Sequence, residues 1–254
     1  MHTSTSETRK GVALVLENVL IERRSPGLGR FSLKVPKLLL SAGSVTALVG
    51  PSGSGKTTVF NMVAGVEACP LAAVINSSFK RQAYIMHESS LCAWRSVVRN
   101  VNVEALLRST VYDLVEFAEF CVRLGLSNDV LYKRAGVLSF GMRQRVEIAK
   151  ALVFHPDLLI LDEGLSGLDR VSRKAALGLI GERVDADGMA VLMTSHHAPD
   201  ILALSDIVYR ISDGIVSDGT SVDYLPRLHR LGMSDVQLQT DLDADYVMNG
   251  IGRE

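Results

Sequence analysis

The clearest chemical pattern in the sequence is a glycine-rich loop that ends in a lysine and two threonines. It reads Gly50-Pro51-Ser52-Gly53-Ser54-Gly55-Lys56-Thr57-Thr58. Small residues let backbone N–H groups surround phosphate oxygens at a helix N-terminus, where the helix dipole adds positive potential. Lys56 is predicted to meet the β and γ phosphates of a nucleotide, and the Thr57 hydroxyl to bind Mg²⁺.

A second pattern places two adjacent carboxylates after a buried strand. Asp162 and Glu163 directly follow the apolar run Leu158–Leu161, and open α/β sheets place their ligand chemistry at the carboxyl ends of strands. Asp162 is predicted to hold Mg²⁺ through water. Glu163 is predicted to polarise the attacking water, because in-line phosphoryl transfer needs a positioned nucleophile. Alone, such a pair could simply begin a solvated loop, but the phosphate loop in the same chain favours catalysis.

The elements around these residues alternate as in an open α/β sheet. Short apolar runs at Val45–Val49 and Ala190–Met193 predict further buried strands, and Gly11–Ile21 with Phe31–Val35 predicts an antiparallel ribbon. Helices are predicted from the spacing of apolar residues and from their stop signals at Thr57–Ala64, Thr110–Leu124, Ser139–Phe154, Ser172–Val184 and Ala198–Leu204. A helical stretch is thus inserted into the sheet.

Composition and charge limit the class of protein. A chain of 254 residues with 47% hydrophobic composition suits one globular unit with a subdomain. The net charge of −1 gives no electrostatic reason to expect nucleic acid as a partner. Neither a run of 18 apolar residues nor a signal peptide is found, which predicts a cytoplasmic chain. The three cysteines lack the spacing of a metal site and are predicted to be buried, reduced thiols.

The segment Leu138-Ser139-Phe140-Gly141-Met142-Arg143-Gln144-Arg145 resembles the signature motif of ATP-binding-cassette (ABC) proteins. Ser166-Gly167-Leu168-Asp169 and His196 resemble the D-loop and the switch histidine of that family, and the motifs follow in the family's order. The resemblance covers about Leu16–Gly219 and is closest to ATPase subunits of bacterial importers. It implies a P-loop NTPase (RecA-like) core sheet with an N-terminal antiparallel β subdomain and an inserted α-helical subdomain, and it implies hydrolysis of ATP with Mg²⁺.

The resemblance also assigns roles to residues. Ser139 and the N–H of Gly141 are expected to touch the γ-phosphate of ATP bound by a second protomer, and Asp169 to join the two sites in a head-to-tail homodimer. His196 is expected to contact the γ-phosphate and orient Glu163, although a histidine taken alone is more often structural. The expected domain bounds are 11–225 for the ATPase domain, about 95–154 for the helical subdomain, 1–10 for a disordered start and 226–254 for a C-terminal extension.

Three positions depart from the family's pattern. His87 stands where the family has a glutamine near Mg²⁺ and the attacking water, and a neutral imidazole can bind a metal or bridge water. His87 is therefore a catalytic and metal-binding candidate. Phe140 replaces a glycine and adds bulk where two subunits close. Near Arg23 and Arg24, where the family often has an aromatic to stack on adenine, there is none, so either Arg24 stacks through its guanidinium or the affinity for the base is lower.

The expected partner is a transmembrane permease. The chain would lie at the inner face of the cell membrane and power the translocation of substrate by that permease. Arg81–Val101 resembles the segment that contacts such a partner, with Leu91 and Trp94 as docking candidates; the alternative is that Trp94 packs the helical subdomain. A substrate-binding protein is a further candidate partner. The alternative functions are a soluble cassette ATPase in remodelling or repair, and a small-molecule kinase built on the same loop.

Overall fold

A computed structural model describes residues 12–25, 29–70, 73–217, 219–221 and 230. The predicted disordered start, 1–10, lies outside these residues. So does the predicted C-terminal extension, 226–254, apart from Arg230.

The described residues form strands and helices that alternate along the chain. The strands are β1 (Val12–Ser25), β2 (Gly29–Ser41), β3 (Val45–Val49), β4 (Val74–Ser77), β5 (Gln82–Ile85), β6 (Leu158–Asp162), β7 (Ala190–Thr194), β8 (Ile207–Ser212), β9 (Ile215–Val216) and β10 (Thr220–Ser221). The α-helices are α1 (Lys56–Val63), α2 (Val97–Leu107), α3 (Leu114–Arg123), α4 (Phe140–Val153), α5 (Arg170–Asp187) and α6 (Ala198–Leu204). Two short 3₁₀ segments, Asn128–Tyr132 and Ala135–Val137, lie between α3 and α4.

The strands join into one mixed sheet in the order β4-β1-β2-β9-β8-β3-β7-β6-β5, with β10 paired to β8. The half that runs from β8 to β5 is parallel. The other half is the antiparallel ribbon of β1, β2 and β4. Every residue of β3, β6 and β7 is buried, which explains why their sequences are continuous apolar runs. The predicted α/β fold with an N-terminal antiparallel ribbon is confirmed.

The core is divided by the sheet. Alternate residues of β3 face opposite sides, so that Val45, Ala47 and Val49 join one apolar cluster and Leu48 joins the other. The first cluster packs the central strands against residues of α2 to α6, and the second packs them against α1 and the antiparallel ribbon. The parallel strands are therefore held rigidly on both faces, and their carboxyl ends form a stable edge for a site.

Four of the five predicted helices agree with the structure to within a few residues, whereas α3 begins four residues after its predicted start. The periodicity predicted Thr110–Leu124, but α3 begins at Leu114 because the Asp113 carboxylate caps it by accepting hydrogen bonds from the N–H groups of Val115 and Glu116. Val111, which contributed to the predicted periodicity, is 90% exposed. The predicted start of this helix was wrong.

Two further expectations concern the membrane and the cysteines. Among the described residues, no helix is both long enough and apolar enough to cross a bilayer. Cys69, Cys92 and Cys121 are free thiols. Cys121 is buried as predicted, but Cys69 and Cys92 are only partly buried, so the predicted burial was wrong for these two. Burial raises the pKa of the Cys121 thiol to about 12, so this cysteine is an unreactive part of the core.

Candidate nucleotide site

The glycine-rich loop connects β3 to α1 and has little room for side chains. A Cβ at Gly50 would lie 2.8 Å from the carbonyl oxygen of Ile211, and Gly55 has a φ of +107°, which other residues rarely adopt. Lys56 begins α1, and its ammonium donates hydrogen bonds to the carbonyls of Gly50 (2.8 Å) and Pro51 (2.9 Å). Burial lowers the pKa of Lys56, and the nearby carboxylates of Glu163 and Asp162 oppose that shift. The loop therefore holds a cation in place at the start of a helix.

Thr57 and Asp162 form a pair of oxygen ligands beside the loop. The Thr57 hydroxyl donates to Asp162 Oδ2 at 2.7 Å. Burial raises the pKa of Asp162, and the hydrogen bond from Thr57 is the main effect that opposes this shift. Among the described residues, no group of three or more His, Cys, Asp or Glu side chains could hold a metal ion. The Thr57 hydroxyl and the Asp162 carboxylate fit Mg²⁺, which proteins usually bind through one or two carboxylates together with substrate phosphates.

Glu163 and His196 form a second pair at the same edge. His196 Nε2 and Glu163 Oε1 are 2.7 Å apart. Glu163 has a φ of +55°, a strained conformation for a side chain of this kind, and such strain is typical of functional sites. The adjacent His197 is tied to Asp200 Oδ1 at 2.9 Å. His197 is therefore a structural histidine, and His196 is the one that faces the carboxylate.

His87 contacts the D-loop. Its Nδ1 lies 2.9 Å from the Ser166 hydroxyl oxygen, and its ring lies 5.5 Å from the ring of Phe140. The side chain is exposed. His87 thus links the end of β5 to the segment that follows Glu163.

The signature segment begins α4. Ser139 is the N-cap, where its hydroxyl accepts a hydrogen bond from the Met142 N–H at 3.2 Å, and it is exposed. Gly141 packs so closely that a Cβ there would lie 2.8 Å from the Gly167 carbonyl oxygen. Asp169 caps α5 and accepts from the N–H and the hydroxyl of Ser172, each at 2.9 Å. These two hydrogen bonds lower the pKa of Asp169.

Several residues at the site were not predicted from the sequence. The Tyr84 hydroxyl lies 3.1 Å from Asn61 Oδ1 and 3.4 Å from Asp162 Oδ2. Gln144 Oε1 accepts a hydrogen bond from the Gly167 N–H at 2.7 Å. Asn61 could have been found, because it lies one helical turn after Thr57 and so shares its face.

The position predicted to stack on adenine is described only through its backbone, because the side chains of Arg23 and Arg24 are not among those that the structure describes. Phe31 pairs with Arg23 across the ribbon, and its ring lies beside Gly55 at the phosphate loop.

The parallel strands bring these pairs together. The phosphate loop follows β3, Asp162 ends β6 and is followed by Glu163, and His196 lies two residues after β7. Because the three strands are parallel neighbours, their carboxyl ends meet at one edge. A phosphate loop, two hard oxygen ligands and a carboxylate–imidazole pair define a P-loop nucleotide hydrolase.

Comparison with known proteins places the chain more narrowly. The family model described as "ABC transporter" matches residues 33–166. The chain is 33% identical over 235 residues to the aliphatic sulfonates import ATP-binding protein SsuB of Pectobacterium atrosepticum, covering 90% of this chain and 85% of that protein. It is 34% identical over 202 residues to the protein of the same name from Yersinia pestis, covering 77% and 72%. The chain belongs to the ABC transporter family and is an ATP-binding ATPase of that family.

Solved structures support the fold. A dimeric ATP-binding cassette in a post-hydrolysis state, bound to ADP and phosphate, has a TM-score of 0.71 at 19% identity and covers 82% of this chain and 98% of its own. The ATP-binding subunit of an ABC transporter has a TM-score of 0.71 at 21% identity and covers 91% and 99%. The predicted P-loop NTPase fold is confirmed.

Proposed function

We propose that the chain is the ATP-hydrolysing motor of an importer, in which a head-to-tail pair of chains drives a separate transmembrane permease. The observation that carries the proposal is the pairing of His196 with Glu163 at 2.7 Å, beside Thr57 and Asp162 at the same sheet edge. That arrangement provides a general base with an orienting partner and a metal site next to a phosphate loop. The importer assignment draws on the relatives named for sulfonate import.

Within one chain, each side chain has a separate task. The loop N–H groups and the Lys56 ammonium bind the phosphates, while Thr57 and Asp162 hold Mg²⁺. The metal, when bound, neutralises charge on the phosphate oxygens. Glu163 accepts a proton from the attacking water, and His196 keeps the Glu163 carboxylate oriented toward that water. His87 bridges water next to Ser166, in the place of the family's glutamine.

A second chain would complete the site. Ser139 is exposed at the N-terminus of α4, so its hydroxyl and the nearby N–H of Gly141 are available to a nucleotide held by another protomer. Asp169 lies exposed at the start of α5 and would meet the facing chain. The similarity in fold to a dimeric cassette supports this arrangement. We propose a homodimer that binds two ATP molecules between its chains.

The permease would dock beside the helical insertion. Trp94 is 73% exposed, which disfavours the alternative that it packs inside the helical subdomain. Leu91 is 9% exposed and belongs to the core. It also lines a groove together with Ala93, Gly136 and Phe140. Trp94 directly follows Ala93, which lines this groove, and an exposed tryptophan is the kind of residue that anchors a protein interface. Docking there would hold the chain at the inner face of the membrane.

Capture of the permease tests this function. A tagged chain is incubated with detergent-solubilised membranes of its source, and bound proteins are identified by mass spectrometry. We expect a multi-spanning membrane protein to bind the wild type, and Trp94→Ala to reduce its recovery about tenfold, as expected for loss of an interface anchor. Leu107→Ala is the matched control, because Leu107 is a large apolar residue that is 79% exposed but lies at the C-terminal end of α2.

The result separates the candidate functions. Recovery of ribosomal or DNA-repair proteins in place of a membrane protein would support the soluble cassette ATPase and overturn the importer. Equal recovery by the wild type and Trp94→Ala would refute Trp94 as the anchor. With the permease reconstituted in vesicles, aliphatic sulfonates are the first substrates to test, because the relatives are named for their import.

A further inference from the structure

Behind the predicted metal ligands, three polar side chains from three elements form a connected group. The Tyr84 hydroxyl on β5 lies 3.1 Å from Asn61 Oδ1 on α1 and 3.4 Å from Asp162 Oδ2 at the end of β6. The Thr57 hydroxyl lies 2.7 Å from the same Asp162 oxygen. Two hydroxyls from different elements therefore meet one carboxylate oxygen.

The backbone fixes this meeting point. Tyr84 is paired with Ile160 on the adjacent parallel strand, and Ile160 lies two residues before Asp162, on the same face of the sheet. Thr57 and Asn61 are four residues apart on α1, so they also share a face. Each member of the group thus belongs to a packed strand or helix.

The hydrogen-bond donors and acceptors of the group fit a single direction. A phenol has one proton, and the Asn61 amide carries both a donor and an acceptor of nearly equal size. Turning the Asn61 amide over places its NH₂ where Oδ1 stands, so that Asn61 donates to the phenol oxygen and the phenol proton goes to Asp162 Oδ2. At neutral pH the phenol keeps this proton, because tyrosine ordinarily loses it only near about pH 10.

We propose that Tyr84 is a positioning residue for Asp162. The Tyr84 hydroxyl, which Asn61 orients, fixes the rotation of the Asp162 carboxylate that would hold Mg²⁺. The inference deepens the proposed function and rests on Asp162 as a metal-binding residue. Thr57 is exposed and supports the carboxylate from the open side of the site, whereas Tyr84 is half-buried and supports it from behind. Without the tyrosine hydroxyl the carboxylate keeps only the hydrogen bond from Thr57, and the metal would be held less tightly.

Magnesium-dependent nucleotide binding tests this role without turnover. Tyr84→Phe is introduced beside Glu163→Gln, and binding of a fluorescent ATP analogue is titrated with Mg²⁺ and, separately, in EDTA. We expect the half-saturating Mg²⁺ concentration to rise about tenfold, which corresponds to the loss of one hydrogen bond to a charged group. Affinity in EDTA stays within about twofold, since the hydroxyl does not contact the phosphate loop.

Asn61→Leu gives a second, independent measurement. It removes the donor to Tyr84 and preserves the shape of the side chain, so we expect a smaller rise of about threefold, at the lower end for one hydrogen bond. The double variant should equal Tyr84→Phe alone, because both changes break the same chain of hydrogen bonds.

Tyr112→Phe is the matched control. Its hydroxyl also bonds an asparagine, Asn102 Oδ1 at 2.6 Å, but in the helical insertion. It should leave the Mg²⁺ titration unchanged, and thermal unfolding of each variant checks the fold. The inference is overturned if Tyr84→Phe shifts the Mg²⁺ midpoint by less than twofold, or if affinity falls equally with and without Mg²⁺. Absence of any Mg²⁺ dependence in the parent would instead refute the metal assignment of Asp162 itself.

Discussion

Replacing Glu163 with glutamine separates ATP binding from hydrolysis, because the change removes a charge and almost no volume. The new side chain would keep the hydrogen bond to His196, since an amide oxygen can accept from Nε2–H as the carboxylate does at 2.7 Å. The Glu163 side chain is 30% exposed, so we expect the free energy of unfolding to change by less than about 0.5 kcal/mol. The phosphate loop and the Thr57–Asp162 pair are untouched.

The expected loss of turnover follows from the role of a general base. Removing such a group slows the chemical step by about 10²- to 10⁴-fold. For an ordinary turnover of about 1–10 s⁻¹, the lifetime of the ATP-bound state lengthens from a second or less to between tens of seconds and hours. An ATP-bound dimer then survives long enough to be separated by size.

Size-exclusion chromatography with light scattering measures this directly. Glu163→Gln with ATP and Mg²⁺ should elute as a dimer, whereas the same variant with ADP should elute as a monomer. The combination Lys56→Ala with Glu163→Gln is the control, because it lacks the cation that binds the phosphates and should not dimerise. Phosphate release is followed on the same samples.

Two outcomes would refute this reasoning. Turnover within tenfold of the wild type would show that Glu163 is not the base. A variant that binds ATP but stays monomeric at every concentration, while the wild type hydrolyses ATP, would show that the two-chain site is wrong.

The remaining predictions concern two side chains of the nucleotide site. Lys56→Ala should weaken ATP binding by at least about 100-fold, because two charged hydrogen bonds to phosphate are lost. Calorimetry measures the affinity for ATP, with Lys80→Ala as the control because Lys80 is exposed. His87→Gln should keep turnover within about threefold, since an amide can also reach Ser166 and bridge water, whereas His87→Ala should lose about tenfold or more. Wild-type turnover in both His87 variants would place this residue outside the catalytic set.

The parts of the site that could be predicted from sequence are those set by neighbouring residues. Spacing along the chain places Lys56 and Thr57 at a helix start and Asp162 at a strand end, and the structure has both there. Apolar runs without alternation predicted strands buried on both faces, because a parallel sheet covered by helices exposes neither face. Local sequence patterns carry this information, and no tertiary contact is needed to interpret them.

Contacts between distant segments could not be predicted in this way. The approach of Tyr84 to Asp162 depends on the register that pairs Tyr84 with Ile160, and a shift of one residue would turn Tyr84 to the other face of the sheet. The start of α3 was misjudged because Val111 fits the apolar period but lies in solvent, while the cap at Asp113 decides where the helix begins. Periodicity reports which residues could share a face, and packing selects among them.

Two of the departures from the family's motifs prove to be neighbours. His87 and Phe140 are distant in sequence, yet their rings lie 5.5 Å apart, and a Cβ built at Gly167 would overlap the Phe140 ring. Phe140 therefore packs over Gly167 within its own chain, with 38% of its surface exposed. Since His87 also bonds Ser166, the histidine and the phenylalanine both rest on the D-loop. A larger aromatic in the signature segment is thus accommodated by a glycine in the D-loop, and the departures at His87 and Phe140 form one local cluster on the loop that follows Glu163.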